Sequence, residues 1–203
     1  MSTNANLINH LMSTNSMHSK NIIDAFTKID RADFVLDPND SELYADHPLP
    51  IGHGQTISQP TTVAMMLEML QPKEGQKILD IGSGSGWTTA LLAYIVGDKG
   101  SVIGLERVSY LVKFGNNNLK KYDFQNAKIT QAKDALGLEG ETFDRILVSA
   151  AAQEFPLKLT QQLNIGGRLV IPIKNSIYEI VKKENGEIEG IEHYGFTFVP
   201  LIF

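Results

Sequence analysis

The chain has 203 residues, with 18 basic and 23 acidic side chains, a formal charge of −5 and no cysteine. That length suits one domain, and the acidic balance argues against a global nucleic-acid footprint, which would be basic, while leaving a local basic patch open. Without cysteine there is no disulfide framework, no thiolate chemistry and no Cys-based zinc site.

The polar N-terminus, Met1 to Lys20, lacks the apolar core of a signal peptide. No apolar run approaches the ~18 residues that span a bilayer, so a cytoplasmic protein with no membrane or nucleic-acid partner is expected. Leu7, Ile8, Leu11 and Met12 recur at helical spacing, as do Ile22, Ile23, Phe26 and Ile29, predicting two short amphipathic helices over one side of the core. Pro38-Asn39-Asp40 marks a loop. His47 to Gln59, with Pro48, Pro50, Gly52 and Gly54, reads as irregular, and such a stretch is a functional loop or a poor assignment. Pro60 suits the first turn of a helix capped near Ser58 or Gln59, with Val63, Met66, Leu67 and Leu70 as its buried stripe and Pro72 as its end.

From Lys77 onward strand and helix patterns alternate. Strands are expected at 77–81, 101–105, 127–131, 144–149 and 168–173, and helices at 87–96, 108–120 and 156–163, the last stopped by Gly166-Gly167. Ile177–Lys182 and Ile188–His193 flank Asn185-Gly186, a hairpin signal. Phe196–Leu201 reads as a last strand, at an edge because of Pro200. The order predicts an α/β fold: a doubly wound, mostly parallel sheet with N-terminal helices and a C-terminal antiparallel hairpin.

The segment Leu79-Asp80-Ile81-Gly82-Ser83-Gly84-Ser85-Gly86-Trp87 is a buried strand that ends in an acid and opens into glycines before a helix. Glycine there permits positive φ and a close approach of backbone to a ligand. A dinucleotide fingerprint needs a third glycine at the position held by Trp87. Gly82-x-Gly84-x-Gly86 behind Asp80 instead resembles the first motif of S-adenosylmethionine-dependent methyltransferases of the Rossmann-like type. Glu106 ends the second strand, where a carboxylate can accept both ribose hydroxyls. Asp134 lies just past the third strand and can accept an adenine amino group. The acid at 80 has a second reading, as a strand-end group that holds the glycine turn through backbone N–H groups.

Pro48-Leu49-Pro50-Ile51-Gly52-His53-Gly54-Gln55-Thr56-Ile57-Ser58-Gln59-Pro60 matches without a gap the P-L-P-I-G-x-G-Q-T-I-S-x-P loop of the protein-L-isoaspartate O-methyltransferases. Arg31-Ala32-Asp33-Phe34-Val35 resembles that family's R-x-x-F-V, and Gly166 to Pro172 its G-G-R-L-V-I-P. Ser149-Ala150-Ala151-Ala152 is similar to its T-A-A-A, and Phe198-Val199-Pro200-Leu201 to its closing F-V-P-L. The resemblance implies methyl transfer from S-adenosyl-L-methionine to the free α-carboxyl of isoaspartyl residues in damaged proteins and peptides, by a monomer.

A carboxylate is already nucleophilic, so the task is placement. The family's active-site serine falls on Ser58, read as an orienting donor and not as a covalent nucleophile. Thr56, Ile57 and Ser58 join Asp80, Gly82, Ser83, Gly84 and Gly86 as candidate cofactor contacts, with Glu106, Asp134 and Ala135 completing that set. Thr56, Ile57 and Ser58 also face the acceptor, together with Val199, Pro200 and Leu201, where an extended peptide can add along the edge. His10, His18, His47 and His193 show no metal-ligand spacing and His53 reads as a loop residue, so no metal is expected.

Where the family carries G-D-G-x-x-G, this chain has Lys133-Asp134-Ala135-Leu136-Gly137. The acid stays, and a turn needing positive φ at Ala135 would cost energy and shift the adenine pocket. Two rival readings are a methyltransferase with another acceptor and a cofactor-fold protein without turnover. Against the first, no Asn/Asp-Pro-Pro-aromatic motif follows the fourth strand. The whole of 1–203 is expected as a single domain: N-terminal helices and substrate loop over 1–75, a cofactor-binding core over 76–173 and C-terminal strands over 174–203.

Overall fold

The computed structural model describes residues 3–202. Its frame is a seven-stranded sheet. In chain order the strands are β1 (Leu49–Gly52), β2 (Gln55–Ile57), β3 (Lys77–Ile81), β4 (Ser101–Glu106), β5 (Ala127–Gln131), β6 (Phe143–Val148), β7 (Leu163–Ile173), β8 (Ser176–Lys182) and β9 (Ile188–Tyr194). The sheet runs β5-β4-β3-β6-β7-β8-β9, while β1 and β2 form a separate antiparallel pair. Strands β5 through β7 are parallel, and β8 and β9 add on antiparallel. The chain leaves β3 first toward β4 and later returns to β6 on the other side, so the strand order reverses at β3. In such sheets a ligand crevice opens at that reversal, beyond the strands' carboxyl ends.

Among the described residues six α-helices flank it: α1 (Asn4–Ser13), α2 (Lys20–Lys28), α3 (Pro60–Leu70), α4 (Trp87–Val96), α5 (Ser109–Leu119) and α6 (Leu157–Gln161). The period-two alternation of the strands splits the core into two layers. Ile78, Val102, Leu147, Val170 and Ile177 pack with the apolar stripes of α1 to α5. Leu79, Ile146, Leu169 and Ile180 point the other way, where Leu159 and Leu163 around α6 and Leu136 from the β5–β6 loop cover them. Both faces are therefore buried, one under five helices and the other under a five-residue helix and a loop.

Several local expectations are corrected. The segment read as irregular at 47–59 contains β1 and β2, paired from Leu49↔Ile57 to Gly52↔Gln55. Positive φ at Gly52, His53 and Gly54 makes the reversal, so prolines and glycines that read as loop instead frame a hairpin. Met12 is 46% exposed and lies off the buried stripe of α1. Gln59 is the N-cap of α3, as expected, but makes no side-chain hydrogen bond to the helix end. Asp46 supplies it from a distance in sequence, accepting from Thr61 N at 2.8 Å and Thr61 Oγ1 at 2.7 Å. The helix expected to reach Leu163 ends at Gln161, because Leu163 already pairs with Phe143 in β7. Gly166-Gly167 thus sits inside a strand at a register irregularity and stops no helix. Phe196–Leu201 forms no strand in the sheet. It makes a single bridge, Ala151↔Pro200, with Ala151 N donating to Val199 O and Leu201 N to Ala151 O, both at 2.8 Å. That contact lays the segment across the tip of β6.

Candidate active site

The glycine turn is held from beneath by its neighbours. Gly82 N and Ser83 N donate to Leu105 O at 2.8 and 3.1 Å, and Gly84 N donates to Glu106 Oε2 at 2.9 Å. Glu106 Oε1 accepts from Val108 N at 2.8 Å. One carboxylate therefore organises the turns after both β3 and β4, and each oxygen keeps a lone pair directed elsewhere. Gly86 starts α4 at φ 90°, and a Cβ there would lie 3.0 Å from Ile129 Cδ1 and 3.3 Å from Gly115 O. The turn is thus clamped against α5 as well as the sheet.

Asp80 is fully buried, and its Oδ2 accepts from Thr88 Oγ1 at 2.8 Å and Thr89 Oγ1 at 2.6 Å while Oδ1 has no partner. Burial pushes this carboxyl up to about 6, against the opposing pull of the two threonine hydroxyls. It ties the strand to the first turn of α4. The expected bonds from glycine-turn N–H groups to Asp80 are replaced by these side-chain bonds.

Above the tips of β3, β4 and β6 lies an open cavity of ≈ 110 Å³, floored by Gly82, Gly84 and Glu106. Thr56 and Ser58 form one wall, and Val199, Pro200 and Leu201 another. Ile57, Ser83 and Trp87 line a smaller recess beside it, with Ser58 and Gly82 shared. A third depression, bounded by Pro48, Thr62, Thr197 and Phe198, adjoins the cavity. Thr56, Ser58, Ser149 and Val199 border both the cavity and this groove.

Not every expected residue converges. Asp80 lies beneath the floor, and Gly86 serves as the helix start. Asp134 is exposed and, like Ala135, is absent from the cavity lining, where Ala132 takes the nearest position after β5. Ala135 has no positive φ, and Gly137 carries the left-handed conformation at 82°, so the alanine is unstrained. Sequence reading assigned no role to Ser149 or Arg107, both of which line the cavity. The signal for Ser149 was available: it directly follows β6, the strand at the order reversal.

The model of the family described as protein-L-isoaspartate(D-aspartate) O-methyltransferase matches residues 2–202. The chain belongs to that family. Curated relatives include the Protein-L-isoaspartate O-methyltransferase of Methanopyrus kandleri, 40% identical over 97% of this chain and 89% of its own, and that of Pyrococcus abyssi, 41% identical over 92% and 88%. A solved structure described as this methyltransferase from Plasmodium falciparum, in complex with S-adenosyl-L-homocysteine, superposes with a TM-score of 0.86 at 30% identity and covers 99% of both chains. Within this methyltransferase the α/β frame agrees with expectation, and no helix among the described residues is long and apolar enough to cross a membrane. Among those residues no cluster of three or more His, Asp or Glu is placed to hold a metal ion.

Proposed function

We propose that the chain repairs damaged proteins by moving a methyl group from S-adenosyl-L-methionine to the free α-carboxyl of L-isoaspartyl residues. One observation carries this reading: Thr56, Ser58, Ser149 and Val199 border both a cavity on the strand tips and an adjoining groove. Donor and acceptor can then occupy neighbouring spaces that meet at the same residues.

The residues fit the cofactor. Glu106 keeps one lone pair on each oxygen for paired hydroxyls and lines the cavity directly beside Gly82 and Gly84. Ser83 Oγ is a buried hydroxyl without a partner beside the recess at the start of α4, a place suited to an anionic or polar group. Bound there, S-adenosyl-L-methionine supplies an electrophilic sulfonium methyl. The chain's own work is binding and orientation. Ser58 donates a hydrogen bond to one oxygen of the acceptor carboxylate and leaves the other free to attack. Ile57, Val199, Pro200 and Leu201 wall the acceptor and keep water away as charge is neutralised. Asp134 and Ala135 contribute at the adenine end only if the β5–β6 loop moves inward, which makes Ala132 the firmer neighbour.

We further propose a cytoplasmic monomer acting on isoaspartyl proteins and peptides, and sedimentation of the purified chain tests the monomer. The function itself is tested by radiolabel transfer to an isoaspartyl peptide beside its normal aspartyl twin, in wild type and Ser58→Ala. Label only on the isoaspartyl peptide, with turnover of the variant reduced about 10- to 100-fold and cofactor affinity kept within about threefold, is the expected result. Equal labelling of both peptides, or full turnover in the variant, refutes it.

A further inference from the structure

Arg31 is fully buried, yet no role in the chemistry has been given to it. Its two terminal nitrogens donate to four backbone carbonyls: Nη1 to Leu43 O at 2.9 Å and Ala45 O at 3.1 Å, Nη2 to His47 O at 2.9 Å and Ser58 O at 3.3 Å. All four lie on the strap that runs from residue 43 to 58 and ends in the wall serine. The guanidinium carbon also sits 5.6 Å from the centre of the Trp87 ring, the first residue of α4 after the glycine turn. One side chain thus touches both halves of the site.

Its own anchor is firm. Arg31 opens a 3-10 turn capped by Asp30, whose carboxylate accepts from Ala32 N at 2.9 Å and from the Tyr44 hydroxyl. The Asp30 N–H in turn donates to Tyr122 Oη at 2.9 Å. Burial lowers the guanidinium to about 10, which still leaves it protonated at neutral pH. The hydrogen bonds of this buried cation all end on neutral carbonyls, its Nε has no partner and Asp46 offsets its charge only in part, so it is costly to keep for stability alone, because apolar packing would fill the same space with less desolvation. Its planar fork does what no apolar group can: it fixes four carbonyls of an irregular segment in one arrangement.

We infer that Arg31 is a positioning residue for methyl transfer, holding the 43–58 strap so that Ser58 meets the acceptor carboxylate at the cavity wall. This rests on the reading of Ser58 given above. A lysine retains the charge but presents a single nitrogen, which cannot reach both carbonyl pairs as the fork does.

The test is a double-mutant cycle on the full chain with Arg31→Lys, Ser58→Ala and the double variant, measuring kcat with an isoaspartyl peptide and the dissociation constant of S-adenosyl-L-homocysteine. Arg31→Lys is expected to lower kcat about tenfold and leave that dissociation constant within about threefold. The double variant is expected to match Ser58→Ala within about twofold, because a misplaced serine and an absent one are equivalent. Additive losses, or a loss confined to cofactor affinity, overturn the inference while leaving the Ser58 reading intact. Full turnover in Ser58→Ala alone refutes that reading instead, from a different sample. Should Arg31→Lys fail to fold, the wild-type protein decides. Nitrogen NMR must resolve the Arg31 Nη protons as slowly rotating and slowly exchanging, and averaged signals overturn the fork.

Discussion

Replacing Glu106 with glutamine changes little in shape and much in hydrogen bonding. In the structure Oε2 accepts from Gly84 N at 2.9 Å and Oε1 from Val108 N at 2.8 Å. A carboxamide offers one oxygen, so whichever way it turns, one of these N–H groups meets an NH2 donor. The same swap turns one of the two lone pairs facing the cavity into a donor and removes the charge behind the other. A hydrogen bond to a charged acceptor contributes about 1.5–3 kcal/mol, so losing one and weakening a second removes ~2–4 kcal/mol of cofactor binding. At 1.4 kcal/mol per tenfold, the dissociation constant should rise about 30- to 700-fold. Titration calorimetry with S-adenosyl-L-homocysteine measures this directly, and thermal unfolding of the free variant reports the separate cost to the glycine turn. A dissociation constant within about threefold of wild type would show that Glu106 shapes the turn without touching the ligand.

Asp80 links stability to pH. Its folded carboxyl stands at about 6 against an ordinary 3.8, so its neutral form suits the fold, and the gap amounts to ~3 kcal/mol. That contribution is fully present below about pH 3.8 and is lost as pH rises through about 6. Asp80→Asn stays neutral throughout, so wild type should lose up to ~3 kcal/mol relative to the variant between pH 4 and pH 7. Urea midpoints at the two pH values check it, and a constant difference contradicts the burial argument. Asp46→Ala removes the side-chain cap of α3, with its bonds from Thr61 N and Thr61 Oγ1, and should cost about 1–2 kcal/mol in denaturant unfolding. An unchanged midpoint would mean that another group, or water, satisfies that helix end.

The agreement between pattern and structure follows the range of the forces involved. Strands β3, β4 and β5 and helices α3 and α4 were legible because apolar period and, for α3, proline at its start and just past its end act within a few residues. The 47–59 segment was misread because its pairing, Leu49 with Ile57, leaves no alternation to detect in so short a run. The side-chain cap of α3 was invisible for a related reason. Asp46 lies fourteen residues before Pro60, and nothing local marks it as the acceptor for Thr61.

From the sequence alone came the fold class, the glycine turn and the acid at the end of the second strand, since each is written in contiguous residues whose spacing has a local physical meaning, while the serine loop came from its resemblance to a family motif. Only tertiary structure decided which of them share a wall. Ser149 joined because parallel pairing brings the tip of β6 beside that of β3, Asp80 withdrew because its threonine partners lie on the inner side of α4, and Arg31 emerged because one planar cation gathers carbonyls up to 27 residues away. Convergence of that kind depends on strand order and burial, and neither is encoded in any single stretch of chain.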